Sequence, residues 1–472
     1  MYLYLEQVIA MLTDHIEKYV RENGFDGYTE IRAQSNSSRK FALLKGTMVA
    51  NSAATSRGIS ARVVKGGAYG FASGNDYSPE GVAATVRAAR DNAIFLDRFE
   101  NMGKSDFAPA NKVVRFDGPE VDDNIPRKFY ADFSGELDAY IAKKYPKLAS
   151  RYVGASVLTM EKLLYTSDGT VSHSVVPRAS LYIGLTAEDN DGQPVELFDG
   201  LGNYGYFTDV FSTPDALYEK VDELYEKLMQ KREAVYADPG LKTVILHPDL
   251  AGMLAHEAVG HTVEADFVLS GSVGGPCFGK QVASELVTMV DFAHTAFGKK
   301  CPVPVYVDDE GTPAEDAVII KNGILTGYMH NKESAEHFGH KPLGNARAYS
   351  FSDEPLIRMR NTCILPGKDK LEDMIASVDD GYFLVSTGNG QADATGEFMF
   401  GVEHGYEIKK GKLGRAIKST TISGVAFEML KTVDMLSDDL SWVCTGMCGK
   451  KQPIPVGMGG PAIRCKVNVG GR

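Results

Sequence analysis

The sequence predicts an α+β fold: an N-terminal helix-and-meander domain, then a C-terminal domain with a large, mostly antiparallel sheet and flanking helices. Three observations predict it. Short alternating or β-branched runs recur along most of the 472 residues, a few helix-period segments are interspersed among them, and no fixed-period repeat is present. At roughly 100 to 200 residues per domain, the length suits two or three domains. The expected division is 1–236 and 237–472, just after a long charged helix.

In chain order, Leu5, Val8, Ile9, Leu12, Ile16 and Val20 recur at helical spacing and predict a first helix. From 28 to 74 the pattern changes to short strands. Residues 29–33 alternate, the polar run Ser35-Asn36-Ser37-Ser38 reads as a turn, and 40–44 resumes a strand. Gly46, Gly58 and Gly66-Gly67 punctuate a meander. Ser78 as N-cap and Pro79 in the first turn start a helix to about Ala93. Residues 100–125 carry little periodic signal and read as a connection, and 126–144 as a helix. Strands are expected near 150–158, 161–167, 170–176 and 179–187, with a hairpin turn at Ser167-Asp168-Gly169. The stretch from Asp199 to Gly205 reads as a Gly-rich loop, and Thr213-Pro214-Asp215 caps the charged helix to about Ala234. Residues 243–246 form a buried strand, and Pro248-Asp249 opens a helix towards Gly260. Further strands are expected near 285–290, 303–308, 317–320, 324–329, 361–365, 381–386, 397–400, 404–409 and 416–421, and a helix at 423–436.

Composition narrows the function classes. Apolar residues make up 43% and charged residues 24%, which excludes a disordered, collagen-like or fibrous chain. Fifty Lys plus Arg against 62 Asp plus Glu leave a net charge of −12. With no basic stripe and no aromatic–basic interleaving, nucleic acid is not an expected partner. The longest apolar runs, such as 303–307 and 382–385, fall far short of the ~20 residues of a membrane span, so no membrane is expected either. The start, Met1 to Gln7, lacks a basic region and does not read as a signal peptide. Six cysteines give no disulfide framework, so the expected compartment is the reducing cytoplasm. The 49 glycines exceed the usual ~7% and suggest turns or backbone close to a ligand.

The chemistry concentrates in His256-Glu257-Ala258-Val259-Gly260-His261. Neutral imidazoles ligate zinc, and an adjacent carboxylate can take a proton from water activated by a metal. The common HExxH motif sets its two histidines four residues apart on one helical face. Here the step is five residues, which on a regular α-helix leaves the two rings about 140° apart. Both can face one metal only if the helix ends or widens locally, as in a π-bulge, and Gly260 would ease an irregular backbone. Glu264 and Asp266 can orient the imidazoles, or they are simply solvated charges. Two unrelated histidines on a core helix would give the same letters. A third ligand could come from Cys277, Cys301, Cys363, Cys444, Cys448, Cys465, His294, His330, His337, His340 or His404. Cys448 stands out because glycines flank it in Gly446-Met447-Cys448-Gly449, while Cys444 competes from four residues earlier.

Four ordered segments carry a resemblance: His256 to His261 with Glu264 and Asp266; Arg358 to Gly367; Gly390 to Gly401; and Gly446 to Lys450 with Pro455 to Pro461. Together they resemble the TldD/PmbA family, the so-called modulators of DNA gyrase, and specifically its TldD-type metalloprotease branch. The chain departs from the family pattern at Arg360, where Thr is common, and in a Gly- and Ser-rich stretch at 267–281. The resemblance implies a two-domain α+β zinc peptidase acting on peptides or unfolded proteins. It implies His256, His261 and Cys448 as ligands of one Zn2+ per chain, and Glu257 as general base. It further implies a homodimer, or a heterodimer with a metal-free family member. The Gly-rich stretches 388–390 and 457–460 read as tight turns or as backbone exposed to an extended substrate, and Arg358 and Lys450 as surface cations or as groups that steady an oxyanion or a substrate carboxylate. The competing classes are a non-catalytic protein-binding or regulatory subunit with a structural metal, and a metal-dependent hydrolase of a non-peptide amide.

Overall fold

The computed structural model describes residues 3–25, 27–100, 114–119 and 125–470. Helix α1 (Leu3–Asn23) forms as its periodicity predicts, with Leu12 and Ile16 buried. Strands β1 (Tyr28–Leu44), β2 (Thr47–Lys65) and β3 (Ala68–Gly74) make the expected antiparallel meander, but the first two are far longer than predicted. Ser35 to Ser38 is not a turn. It lies mid-strand, paired on one side with β2 and on the other with β5 (Ser150–Thr166). Its polarity serves a distant contact, since Gln34 and Asn36 each donate to the Tyr349 carbonyl at 2.6 Å.

Helix α2 (Pro79–Glu100) starts as predicted, with Ser78 Oγ accepting from the Gly81 N–H at 3.0 Å, and runs past Ala93. The 100–125 connection lies mostly outside the described residues, apart from the short β4 (Arg115–Asp117). Helix α3 (Arg127–Lys144) agrees with expectation. The four strands expected from 150 to 187 are two long ones, β5 and β6 (Val171–Glu188), joined by the predicted turn, where Thr166 N donates to Thr170 O at 3.0 Å. The expected Gly-rich loop is mostly strand β7 (Pro194–Tyr204), paired with β6. Glycine is needed there for close approach, because a Cβ on Gly202 would stand 2.7 Å from the Ala179 carbonyl oxygen. A single turn α4 (Phe207–Val210) and α5 (Tyr218–Arg232) close this half.

The seven strands run β3-β2-β1-β5-β6-β4, with β7 also on β6. Helices α1 and α2 cover one end of the sheet around Ile31, Ile59 and Val63. Helices α3 and α5 cover the other end around Phe41, Leu181 and Ile183. On β1, the alternate side chains Glu30, Arg32, Gln34 and Asn36 are also buried, against the C-terminal half.

The C-terminal half contains two larger sheets rather than one. In the seven-stranded sheet, β8 (Gly240–Leu246) pairs with Asp380–Ala392 and Ile463–Val469. Asp380–Ala392 also pairs with Glu397–Lys409, which pairs through Thr420–Val425 back to Ile463–Val469, so five strands close into a barrel. The six-stranded sheet comprises Met289–Phe292, Ala317–Lys321, Ile324–Leu325, Asn361–Ile364, Ser441–Val443 and Gly457–Gly460. Each sheet has one parallel pair, and the rest are antiparallel as expected. Helix α6 (Pro248–Leu254) is packed against strands of both, within a core that includes Leu246, Leu254, Met289, Phe400 and Ile463.

Several expectations fail here. Residues 303–308 are no strand, because Pro302 and Pro304 supply no ladder donors. The strands expected at 285–290 and 324–329 shrink to Met289–Phe292 and Ile324–Leu325. Those expected at 397–400 and 404–409 are one strand, and 416–421 divides between Lys412–Ala416 and Thr420–Val425. The helix expected at 423–436 is only Ala426–Leu430, since pairing with Glu397–Lys409 holds the β-branched run Thr420 to Val425 extended. Among the described residues no helix is long and apolar enough to cross a membrane.

Candidate metal centre

Helix α6 continues into a single π-helical turn, Ala255–Gly260, and then a 3-10 turn, His261–Val263. The wide turn answers the spacing problem, because five residues then make about one revolution. The His256 and His261 rings lie 5.2 Å apart at an interplanar angle of 81°. Gly260 plays a different part from the one expected. Its φ of −53° and ψ of −49° are ordinary helical values. What matters is its size, since a Cβ there would lie 2.1 Å from Met359 Sδ.

Cys448 arrives on a tight hairpin, Met447–Cys448 paired with Ile454–Pro455. Its Sγ is 3.4 Å from His261 Nε2. One donor atom each from His256, His261 and Cys448 falls within 4.8 Å of the others, and among the described residues no second such group exists. His256 is fully buried; its Nδ1 is 3.4 Å from Thr362 Oγ1, and its Nε2 has no hydrogen-bond partner. His261 Nδ1 lies 2.7 Å from Glu264 Oε2. Donating a proton to that carboxylate leaves Nε2 as the ligand atom.

The two downstream acids therefore differ. Glu264 is wholly buried and holds His261, while the more exposed Asp266 pairs with Lys450 Nζ at 2.6 Å. Lys450 also reaches Glu264 at 3.3 Å and the Ile357 carbonyl at 3.0 Å. Burial pushes the Cys448 thiol up, but the neighbouring imidazoles of His256 and His261 outweigh it and bring it down to about 3. Burial likewise disfavours protonated His261, but Cys448 and Glu264 outweigh it and lift the imidazole to about 10.

Glu257 Oε2 lies 3.6 Å from His261 Nε2. The two residues line an open cleft of about 580 Å³ shared with Phe267, Gly390, Asp393 and Lys451. Arg358 is no surface cation. It is fully buried and donates to the carbonyls of Cys448 and Gln452 at 2.8 Å and of Lys450 at 3.2 Å, fixing the hairpin. Arg360, likewise buried, pairs with Asp291 at 2.8 Å. The Gly457–Gly460 strand cannot accept a substrate, because both its edges are already paired. Asp380–Ala392 pairs with β8 only as far as Leu384, and its Gly390 end reaches the cleft.

The other candidate ligands lie elsewhere. Cys301 and Cys363 sit in an apolar cluster, where burial drives the Cys301 thiol up to about 12. Burial also raises the thiols of Cys444 and Cys465. His330 and His340 face each other at 3.0 Å, and His294 stacks on Tyr306. Thr362 and the clamping role of Arg358 are absent from the sequence-based reading. Its one pointer to them was the segment from Arg358 to Gly367, which holds both.

Two family models match the chain: the PmbA/TldA metallopeptidase C-terminal domain over residues 239–471 and PmbA/TldA metallopeptidase domain 1 over 29–93. A metalloprotease TldD homolog of Buchnera aphidicola subsp. Acyrthosiphon pisum is 32% identical over 436 residues, covering 88% of this chain and 86% of its own. A zinc metalloprotease TldD homolog of Saccharolobus solfataricus is 28% identical, covering 88% and 90% respectively. The crystal structure of TldE from Thermococcus kodakarensis superposes with a TM-score of 0.75 at 19% identity, over 97% of this chain and all of the other, a likeness of fold. Relatives at this identity and coverage, matched along both halves, make the chain a member of the TldD/PmbA metallopeptidase family.

Proposed function

We propose that the chain is a zinc-dependent peptidase hydrolysing peptides or unfolded polypeptides, with one Zn2+ per chain held by His256, His261 and Cys448 and with Glu257 as general base. One observation carries the reading. Three donors of a zinc-type set converge within 4.8 Å, and one of the three residues, His256, has a buried Nε2 without a hydrogen-bond partner. A buried polar atom left unpaired is costly, and a cation would satisfy it. Two imidazoles and a thiolate suit zinc better than a hard cation. When bound, zinc supplies Lewis acidity, which makes water more acidic and polarises a carbonyl.

The protein's own groups supply the rest. Glu257 opens onto the cleft, so its carboxylate can take the proton of an attacking water and return it to the leaving amine. Glu264 fixes the His261 ring, and Arg358 fixes the hairpin that carries Cys448. Backbone near Gly390 can pair with an extended substrate. Replacing Glu257 with Gln should leave zinc content near that of the wild type while peptide hydrolysis falls by about 100-fold or more. Undiminished hydrolysis would refute the assignment.

We also read 1–236 and 237–472 as two domains, and the cytoplasm as the compartment, in keeping with six unpaired cysteines. The assembly we expect is a dimer, either of this chain or with a metal-free family member. Light scattering on the chain, alone and mixed with such a relative, tests the assembly.

A further inference from the structure

We infer that Lys451 is a specificity-determining residue, reading a substrate carboxylate close to the scissile bond. The inference rests on the peptidase reading above. It begins with backbone conformation. Among the described residues, five that are not glycine have positive φ: Lys45, Phe297, Asn322, Lys410 and Lys451. Each of the first four precedes a positive-φ glycine in a two-residue loop between paired strands. Such loops require positive φ at both positions, so hairpin chemistry accounts for all four.

Lys451, at φ +55°, is different. Gln452 follows it, and the Gln452 N–H donates to the Lys450 carbonyl at 2.6 Å. That closes a three-residue γ-turn with a positive central φ, a rare and strained form. The surroundings hold it in place. Arg358 donates to the carbonyls on both sides of Lys451, and the buried Gln452 side chain accepts from Tyr349 N at 2.7 Å and donates to Glu354 O at 2.8 Å. Strain that a scaffold maintains in this way gathers at functional sites.

The side chain is placed for use. Lys451 is exposed and lines the same cleft as Glu257 and His261. Its neighbour Lys450 is occupied with Glu264, Asp266 and the Ile357 carbonyl, and it lies 4.6 Å above the Phe267 ring. Among the cleft's acids, Asp266 is taken by Lys450, and Asp393 accepts from the N–H groups of Thr395 and Glu397. No hydrogen bond or ion pair among the described residues engages the Lys451 ammonium. An unpaired cation on a fixed backbone, lining the same cleft as the general base, will favour an anionic substrate group. In an unmodified peptide that group is a carboxylate, from the C-terminus or from an Asp or Glu side chain.

The test uses the full zinc-loaded chain and four peptides of one parent sequence: free acid, amide, amide with Glu and amide with Gln at one position near the cleaved bond. The carboxylate-bearing peptides should be favoured about tenfold in kcat/KM, mainly through KM. Which pair shows the preference, acid over amide or Glu over Gln, identifies the source of the carboxylate. Lys451→Gly accepts the positive φ without strain and should bring the ratio towards one, whereas Lys451→Arg should retain it. Fluorescence anisotropy with labelled peptides in the Glu257→Gln background should show the same ordering in Kd. A wild type indifferent to the carboxylate, or a preference that survives Lys451→Gly, overturns the inference while leaving a peptidase intact. If no peptide is cut by the chain either alone or mixed with a metal-free family member, the peptidase reading fails, and the anisotropy series still decides Lys451.

Discussion

His261 owes its orientation to Glu264. The wholly buried carboxylate takes the Nδ1 side of the ring at 2.7 Å and turns Nε2 towards Cys448. Losing such a partner typically weakens metal affinity ten- to 100-fold. Glu264→Gln keeps the volume but loses the charge, so zinc affinity measured against a competing chelator should fall within about that range. Wild-type affinity would show that His261 orients itself without help. This division of roles explains what could be read in advance. His256, Glu257 and His261 suggest metal chemistry by residue type and spacing, whereas Cys448 is singled out only by its flanking glycines and by the family resemblance. Thr362 and Arg358 carry no such sign, because a threonine in a strand and an arginine anywhere are ordinary. Only the fold puts Thr362 Oγ1 3.4 Å from His256 and the Arg358 guanidinium beneath the Cys448 hairpin.

Two short elements make the centre, and they are held by different means. The π-helical turn Ala255–Gly260 is wedged into a tightly packed core, with Gly260 against Met359. The Met447–Cys448 hairpin pairs by two residues per strand and depends on Arg358, whose guanidinium donates to three of its carbonyls. Arg358→Met would take the guanidinium donor from the Cys448 and Gln452 carbonyls, at a cost on the order of 3 kcal/mol. The metal-free variant should therefore unfold at lower denaturant concentration, and the metal-loaded one should hold zinc more weakly. An unchanged midpoint together with unchanged zinc affinity would show that the hairpin stands alone. The five-residue histidine step calls for a helix that either ends or widens there, since regular helix geometry fails by about 140°. Long strands were harder to read. Ser35 to Ser38 has the composition of a turn, and only pairing on both edges keeps it extended. Where tertiary pairing overrides local preference, as again at Thr420 to Val425, composition misleads.

At the scale of the molecule, the halves meet along a buried ionic seam. Arg62 on β2 pairs with Glu30 on β1 at 2.9 Å and with Glu310 of the C-terminal half at 2.5 Å. Lys162 on β5 reaches Asp309 at 2.6 Å, and Lys332 reaches Asp168 at 3.3 Å. Burial pushes the Asp309 carboxyl up, but Lys162 and Arg32 outweigh it and hold it below the usual carboxylate range. The alternation of Glu30, Arg32, Gln34 and Asn36 resembles a solvated sheet face; here it is an internal surface, and nothing within one strand distinguishes the two. Losing Glu310 would leave Arg62 paired with Glu30 but would remove its bond across the halves, a loss below the ~3–5 kcal/mol typical of stripping a buried charge of its sole partner. Glu310→Ala should therefore weaken the join more than either half. The single tryptophan, Trp442, lies in the six-stranded sheet of the C-terminal half. Its fluorescence reports that half alone, whereas far-UV circular dichroism reports both. In the wild type the two denaturation curves should coincide, as expected if the seam makes unfolding cooperative. In Glu310→Ala both midpoints should fall and the curves should separate. Coincident curves at the wild-type midpoint would mean that the Arg62–Glu310 pair contributes nothing to joining the halves.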